Sequence, residues 1–226
     1  METWLSYAPG DFLMFGPEVY WRLFELQNRA LWPLPVIAGL AGVACLVLVA
    51  TRRPVAIRAV LILAALACLG AAHFLATRYA PINWPMVYAA WGFGMQVLVL
   101  TLVAVIGSRK WFDKNGSAAT ATGWALLGYA TILHPFVGLA FGRPLAQAEI
   151  VGIGPDPTAL ACLGLLSLVW PGLWGIACAT LPVLWCAFSA ATLLTLGEPQ
   201  GWVLIAALLL WFLGRSTSVF IPRGRA

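Results

Sequence analysis

The sequence predicts an all-α fold, a polytopic transmembrane helical bundle of about seven spans with an N-terminal amphipathic interfacial helix. Three observations carry this expectation. Of 226 residues, 62% are hydrophobic and only 9% charged, at a mean hydropathy of +0.91, whereas water-soluble domains carry about 25% charged residues. The apolar residues gather into runs of membrane-crossing length, and the breaks between the runs collect Pro, Gly and Arg. A chain of this size cannot hide so much apolar surface in one core, so the bilayer must be part of its solvent.

Residues 1–33 form the interfacial segment. Pro17 suits a first helical position and Glu18 the positive end of a helix. Glu18, Arg22, Glu25 and Arg29 then recur at spacings of four, three and four, a face of alternating sign. Tyr20, Leu23, Phe24, Ala30 and Leu31 cover the other side, the pattern of a helix lying in the membrane interface. Trp32, Pro33 and Pro35 end it and open the bundle, residues 34–214.

Seven spans are expected, near 34–51, 56–76, 84–106, 121–141, 158–174, 176–196 and 200–214, followed by a basic tail at 215–226. The fifth is short and interrupted by Pro171 and Gly172. The sixth stops at Gly197, and Glu198 and Pro199 restart the seventh. Asp156 is suited to N-cap a helix beginning at Pro157. Gly138 and Gly142 form a GxxxG, a signal for close helix packing.

Seven spans put the termini on opposite sides. Arg52, Arg53, Arg58, Arg109, Lys110, Lys114, Arg215, Arg223 and Arg225 fall on one side and Arg22, Arg29, Arg78 and Arg143 on the other, nine against four. Positive residues favour the cytoplasmic side, so the N-terminus is expected outside and the C-terminus in the cytoplasm. The net charge of +5 is thereby a topology signal, and no nucleic-acid partner is expected. Met1 to Ala30 lacks the pattern of a cleavable signal peptide. The five cysteines lie inside apolar runs without a CxxC pair, which points to small hydrophobes and not to a disulfide framework or zinc site.

The longest polar interruption, residues 134–158, leads into an outer face where most of the acids collect. A shallow outer cavity for a small polar solute is drawn from Arg78, Asn83, His134, Arg143, Gln147 and Glu149, with Tyr79 and Trp84 beside them. The alternative is that these are interfacial residues pairing with one another. His73 and His134 stand about 6 Å apart in depth at 1.5 Å per helical residue, unsuited to a shared haem. No metal, cofactor or catalytic residue is expected, because the chain has no HExxH, GxSxG or phosphate-cradling glycine loop, and the enzyme class is set aside. The only lysines lie in one loop, which excludes a Schiff base in the last span. Apart from Arg58 the predicted spans carry no charge, which argues against an ion-driven pump. Gln96, Thr101, Thr131, Ser167, Thr180, Ser189 and Thr192 are expected to bond to their own helices.

The stretches FLMFGPEVYWRLFELQNRALWP, RYAPINW, GRPLAQAEIVGIGPDPTALACLGLL and LPVLWCAFSAATL resemble an uncharacterised family of bacterial integral membrane proteins of about 220 residues, some loosely labelled permease-like. The resemblance covers nearly the whole chain and implies fold and a bacterial inner (cytoplasmic) membrane location, with no activity to carry over. Two functional readings stay open: a protein that binds or permeates a small polar solute through an outward-facing cavity, or a non-catalytic accessory or assembly subunit of a larger membrane complex. The lipid bilayer is a partner in both.

Overall fold

The computed structural model describes residues 13–107, 117–170 and 172–220. Within them the chain is helical: α1 (Pro17–Ala30), α2 (Leu34–Ala50), α3 (Pro54–Phe74), α4 (Met86–Ile106), α5 (Ser117–Gly128), α6 (His134–Ala140), α7 (Pro155–Val169), α8 (Gly172–Cys178), α9 (Thr180–Thr195) and α10 (Gln200–Phe220). Two π-helical turns, Leu75–Tyr79 and Tyr129–Leu133, extend α3 and join α5 to α6. Each is followed by a proline, Pro81 and Pro135, whose missing N–H cannot continue the α-ladder. The basic residues Arg109, Lys110, Lys114, Arg223 and Arg225, the acids Glu2, Asp11 and Asp113, and Pro171 lie outside the described residues.

α1 begins at Pro17 with Glu18 in its first turn and ends at Arg29, as its sequence dictates. Glu25 pairs with both Arg22 and Arg29 at 2.7 Å. The hydrogen bond from Arg22 and the two positive charges hold the Glu25 carboxyl below the usual carboxylate range. The opposite face, Tyr20, Trp21, Leu23 and Phe24, is buried.

The seven expected spans are not what the helices provide. Among the described residues three are long and apolar enough to cross a membrane, 54–79, 86–106 and 118–140; a fourth counts only if α1 and α2, bent by 92° at their junction, are taken as one broken span. α7 and α9 are apolar but short, α10 is apolar over 200–216, and α7 is buried along its whole length. Reading apolar runs up to the next charge overestimates helix length, because helices stop at Pro and Gly first. α7 ends at Val169, and the expected sixth span is split at Ala179.

α7 is the hub, packed against α3, α5 and α9. Small residues let its neighbours approach closely. A Cβ on Gly164 would stand 2.6 Å from Leu127 N, and one on Gly70 of α3 would stand 1.9 Å from Gly152 O, so backbone meets backbone at both places. Gly138 and Gly142 do not pack helices. Gly142, at φ +76, ends α6, and Arg143 N–H donates to Gly138 O at 2.9 Å. This is a helix C-cap, in which Gly supplies the left-handed residue.

Candidate functional site

The segment 141–154 folds back under α1 and does not stand out as a loop. Asn28 of α1 donates from Nδ2 to Ala146 O and Ala148 O, both at 2.9 Å. Gly152, at φ +85, turns the chain, its N–H donating to Thr158 Oγ1 at 2.9 Å. Glu149 is thereby driven inward, to 3% exposure, and Asp156 to 0%. The cap of α7 is Gly154 and the helix starts at Pro155, so Asp156 lies in the first turn. Its carboxylate accepts hydrogen bonds from Trp185 Nε1 at 2.7 Å and Ser189 Oγ at 2.8 Å, and does not cap the helix as the sequence suggested.

Around these two acids a buried polar junction forms between α1, α6, α7, α9 and α10. Gln200, at the start of α10, donates from Nε2 to Glu149 Oε2 at 2.5 Å. It accepts in turn from the Arg143 guanidinium, which lies 3.3 Å over the Trp21 ring. Burial lowers the pKa of Arg143, and Glu149 and Glu198 counter that effect. His134 Nε2 is 3.4 Å from Glu149 Oε2, a contact that becomes an ion pair when the imidazole is protonated. The π-turn before His134 and Pro135 after it fix that side chain inward, edge-on to Tyr129 at 5.5 Å. Tyr20 of α1 hydrogen-bonds Ser189; burial first, then the charges of Asp156 and Glu149, push its phenol well above the ordinary range. Asp156 is also within electrostatic reach of His134 and Glu149.

The junction is incompletely satisfied. Glu149 Oε1, His134 Nδ1 and Nε2, Arg143 Nε and Tyr129 Oη have no hydrogen-bond partner among the described residues. Unpartnered buried polar atoms cost about 1–3 kcal/mol each, so their concentration in one place marks it off from the rest of the interior. Among the described residues no three His, Cys, Asp or Glu side chains stand together as a metal-ligand set.

The six residues singled out from sequence are divided among several places. His134, Arg143 and Glu149 meet. Arg78 donates instead to Gln27 Oε1 at 3.0 Å, and Gln27 Nε2 donates to His73 Nδ1 at 3.1 Å. Gln147 hydrogen-bonds Glu25. Asn83 sits half-buried in the turn before α4, its N–H donating to Tyr79 O at 3.0 Å. The three best-formed cavities, of about 390, 860 and 430 Å³, are lined by other residues. Asp156, Tyr20 and Ser189, read from sequence as a helix cap, an interfacial face and a hydroxyl bonded to its own helix, belong to the junction, and so do Gln200 and Trp185, which escaped the sequence reading. A glutamine opening an apolar helix, as Gln200 does, was the one available signal.

No curated protein and no solved structure matches the chain. The model of a family of unknown function, DUF6064, matches residues 17–217, which takes in every helix of the junction, and the chain belongs to that family.

Proposed function

We propose that this is a multi-pass integral membrane protein whose buried junction of His134, Glu149 and Asp156 passes a proton together with a small polar solute. This reverses the expectation drawn from uncharged spans, because Glu149 and Asp156 lie just outside those spans and are nevertheless buried. Membrane insertion is supported by the long apolar helices and by faces such as Tyr88, Trp91, Leu98 and Val105 of α4, which are 62–71% exposed. Contiguous apolar surface of this kind has no favourable contact in water. A bacterial inner membrane is the location proposed with insertion; the expected orientation, N-terminus outside and C-terminus cytoplasmic, rests on seven spans, and three or four redistribute the basic loops.

One observation carries the proton reading: two carboxyls and an imidazole, each at most 3% exposed, share one junction and leave several polar atoms unpartnered. Ionisable groups withdrawn from water are expensive and are kept for function in membrane proteins. The chemistry is binding and transfer of a proton, without a nucleophile, so no enzymatic step is assigned. Infrared difference spectra of the protein in lipid between about pH 5 and pH 8 test it. A carboxyl stretch that titrates and is lost in Glu149→Gln or Asp156→Asn is expected; a wild-type spectrum without any titrating carboxyl defeats the proposal.

The exposed aromatic row Trp84, Tyr88 and Trp91 favours a second reading, an accessory subunit seated against a larger membrane complex. Migration as a large assembly after mild extraction from native membranes would select it.

A further inference from the structure

Outside the junction, one amide holds two basic side chains. Gln27 of α1 is at 0% exposure, whereas His73 near the end of α3 is exposed and Arg78, in the π-turn that follows, is half-buried. Arg78 Nε lies 3.0 Å from Gln27 Oε1, and His73 Nδ1 lies 3.1 Å from Gln27 Nε2. A guanidinium can only donate, so the atom that faces Arg78 is the amide oxygen. The amide nitrogen then faces His73 and donates to it, and Nδ1, as the acceptor, carries no proton. The ring hydrogen is left on Nε2, which makes that atom a donor.

Both residues therefore keep donors that Gln27 does not use, the terminal nitrogens of Arg78 and Nε2 of His73. Both reach the surface, and among the described residues these donors have no hydrogen-bond or ion-pair partner. The Arg78 charge is unopposed there, since Glu25 is taken by Arg22 and Arg29. Arg78 stands next to the end of the apolar stretch 54–79, where a membrane span meets the lipid headgroups. Trp84 and Tyr88, both exposed, pack edge to face at 6.0 Å just beyond it, and such rings gather at headgroup level. At that depth the anion within reach of these donors is a lipid phosphate.

We propose that Arg78 and His73 bind the phosphate of an anionic phospholipid. The guanidinium supplies the charge and a charge-assisted hydrogen bond, the imidazole a neutral second donor, and Gln27 is the positioning residue that orients both. The site rests on the membrane insertion proposed above and not on the proton, since Glu149→Gln leaves all three side chains in place.

Retention of the chain in carbonate-washed membranes tests insertion alone. Native mass spectrometry of the full chain, titrated in detergent with phosphatidylglycerol, phosphatidylcholine or diacylglycerol, tests the site. One saturable phosphatidylglycerol per chain is expected, bound about fivefold tighter than phosphatidylcholine, whose choline offsets the charge. Diacylglycerol, without a phosphate, should not saturate. Arg78→Gln should weaken phosphatidylglycerol about tenfold and His73→Ala about threefold, the ranges of a charged and a neutral hydrogen bond. Arg58→Gln removes the same charge from an exposed position near the other end of α3 and should leave binding unchanged. An equal loss in Arg58→Gln, equal affinity for phosphatidylglycerol and phosphatidylcholine, or no saturable lipid overturns the proposal. So does displacement of the lipid by millimolar inorganic phosphate, which would make the ligand a free anion. A chain that stays in washed membranes and fails these tests loses the site and keeps insertion; a chain released by the wash loses both. Where Arg78→Gln fails to fold, His73→Ala and the comparison of the three lipids decide.

Discussion

α4 and α7 are both apolar helices, and they meet opposite surroundings. Only 28% of the most apolar window of α4 is buried within the protein, while all 15 residues of α7 are. Hydropathy reports what a residue avoids and is silent on what it meets. Size decides the rest. α7 offers Ala159, Ala161, Gly164 and Ser167 to its neighbours, whereas α4 turns Trp91, Met95 and Leu98 outward.

The comparison can be broken with one substitution in each helix. Gly164→Leu should prevent accumulation of folded protein, because even a Cβ there collides with the α5 backbone. Gly94→Leu in α4, where a Cβ meets nothing within 4 Å, should leave thermal unfolding in detergent nearly unchanged. A tolerated Gly164→Leu would mean that α7 is not the hub.

Next in size is Asp156→Ala. A lost helix cap costs about 1 kcal/mol, but stranding Trp185 Nε1 and Ser189 Oγ should cost about 2–6 kcal/mol at 1–3 kcal/mol for each buried group. Chemical denaturation distinguishes the two values. Asn28→Ala removes two of the contacts that tie segment 141–154 to α1, and should cost about 1–3 kcal/mol, read as faster proteolysis of that segment.

The smallest effect belongs to the Glu25 ion pairs, whose two arginines are exposed. The folded-state pKa of Glu25 is depressed by Arg22 and Arg29, so its contribution is present above the ordinary carboxylate pKa and fades as pH falls through the folded value. Glu25→Gln should flatten that part of the acid limb of a stability profile. An unchanged acid limb would show that the pairs contribute nothing measurable.

α1 was legible nearly residue by residue, since Pro17, the charge ladder and the closing prolines act locally. The stop at Gly197 was equally plain: it takes φ +77, and Glu198 N–H reaches back to Leu193 O at 2.8 Å. Thr131, Ser167 and Thr192 do bond to their own helices, but Thr180 reaches back to Ile176 O of α8, and Ser189 and Gln96 reach across to other elements. The burial of Glu149 and Asp156 was not legible. A polar run between apolar ones reads as a solvated loop, and only the Asn28 clamp and the Gly70 contact with Gly152, both long-range, fold it inward. The short apolar helices misled for a related reason, because a helix apolar on every side shows no periodicity to tell protein from lipid.

The π-turn at Tyr129–Leu133 acts as a phase shifter. Each residue of an α-helix advances its face by about 100°, and a π-turn takes up one residue beyond the α-repeat. The half of this helix before the turn can therefore keep Leu126 and Leu127 against the hub while the half after it aims His134 at Glu149. Removing one residue from the turn, with Pro135 left in place, would restore a regular helix and leave His134 on its present face, whereas tightening the turn to α geometry without a deletion would swing His134 by about 100° and out of the junction.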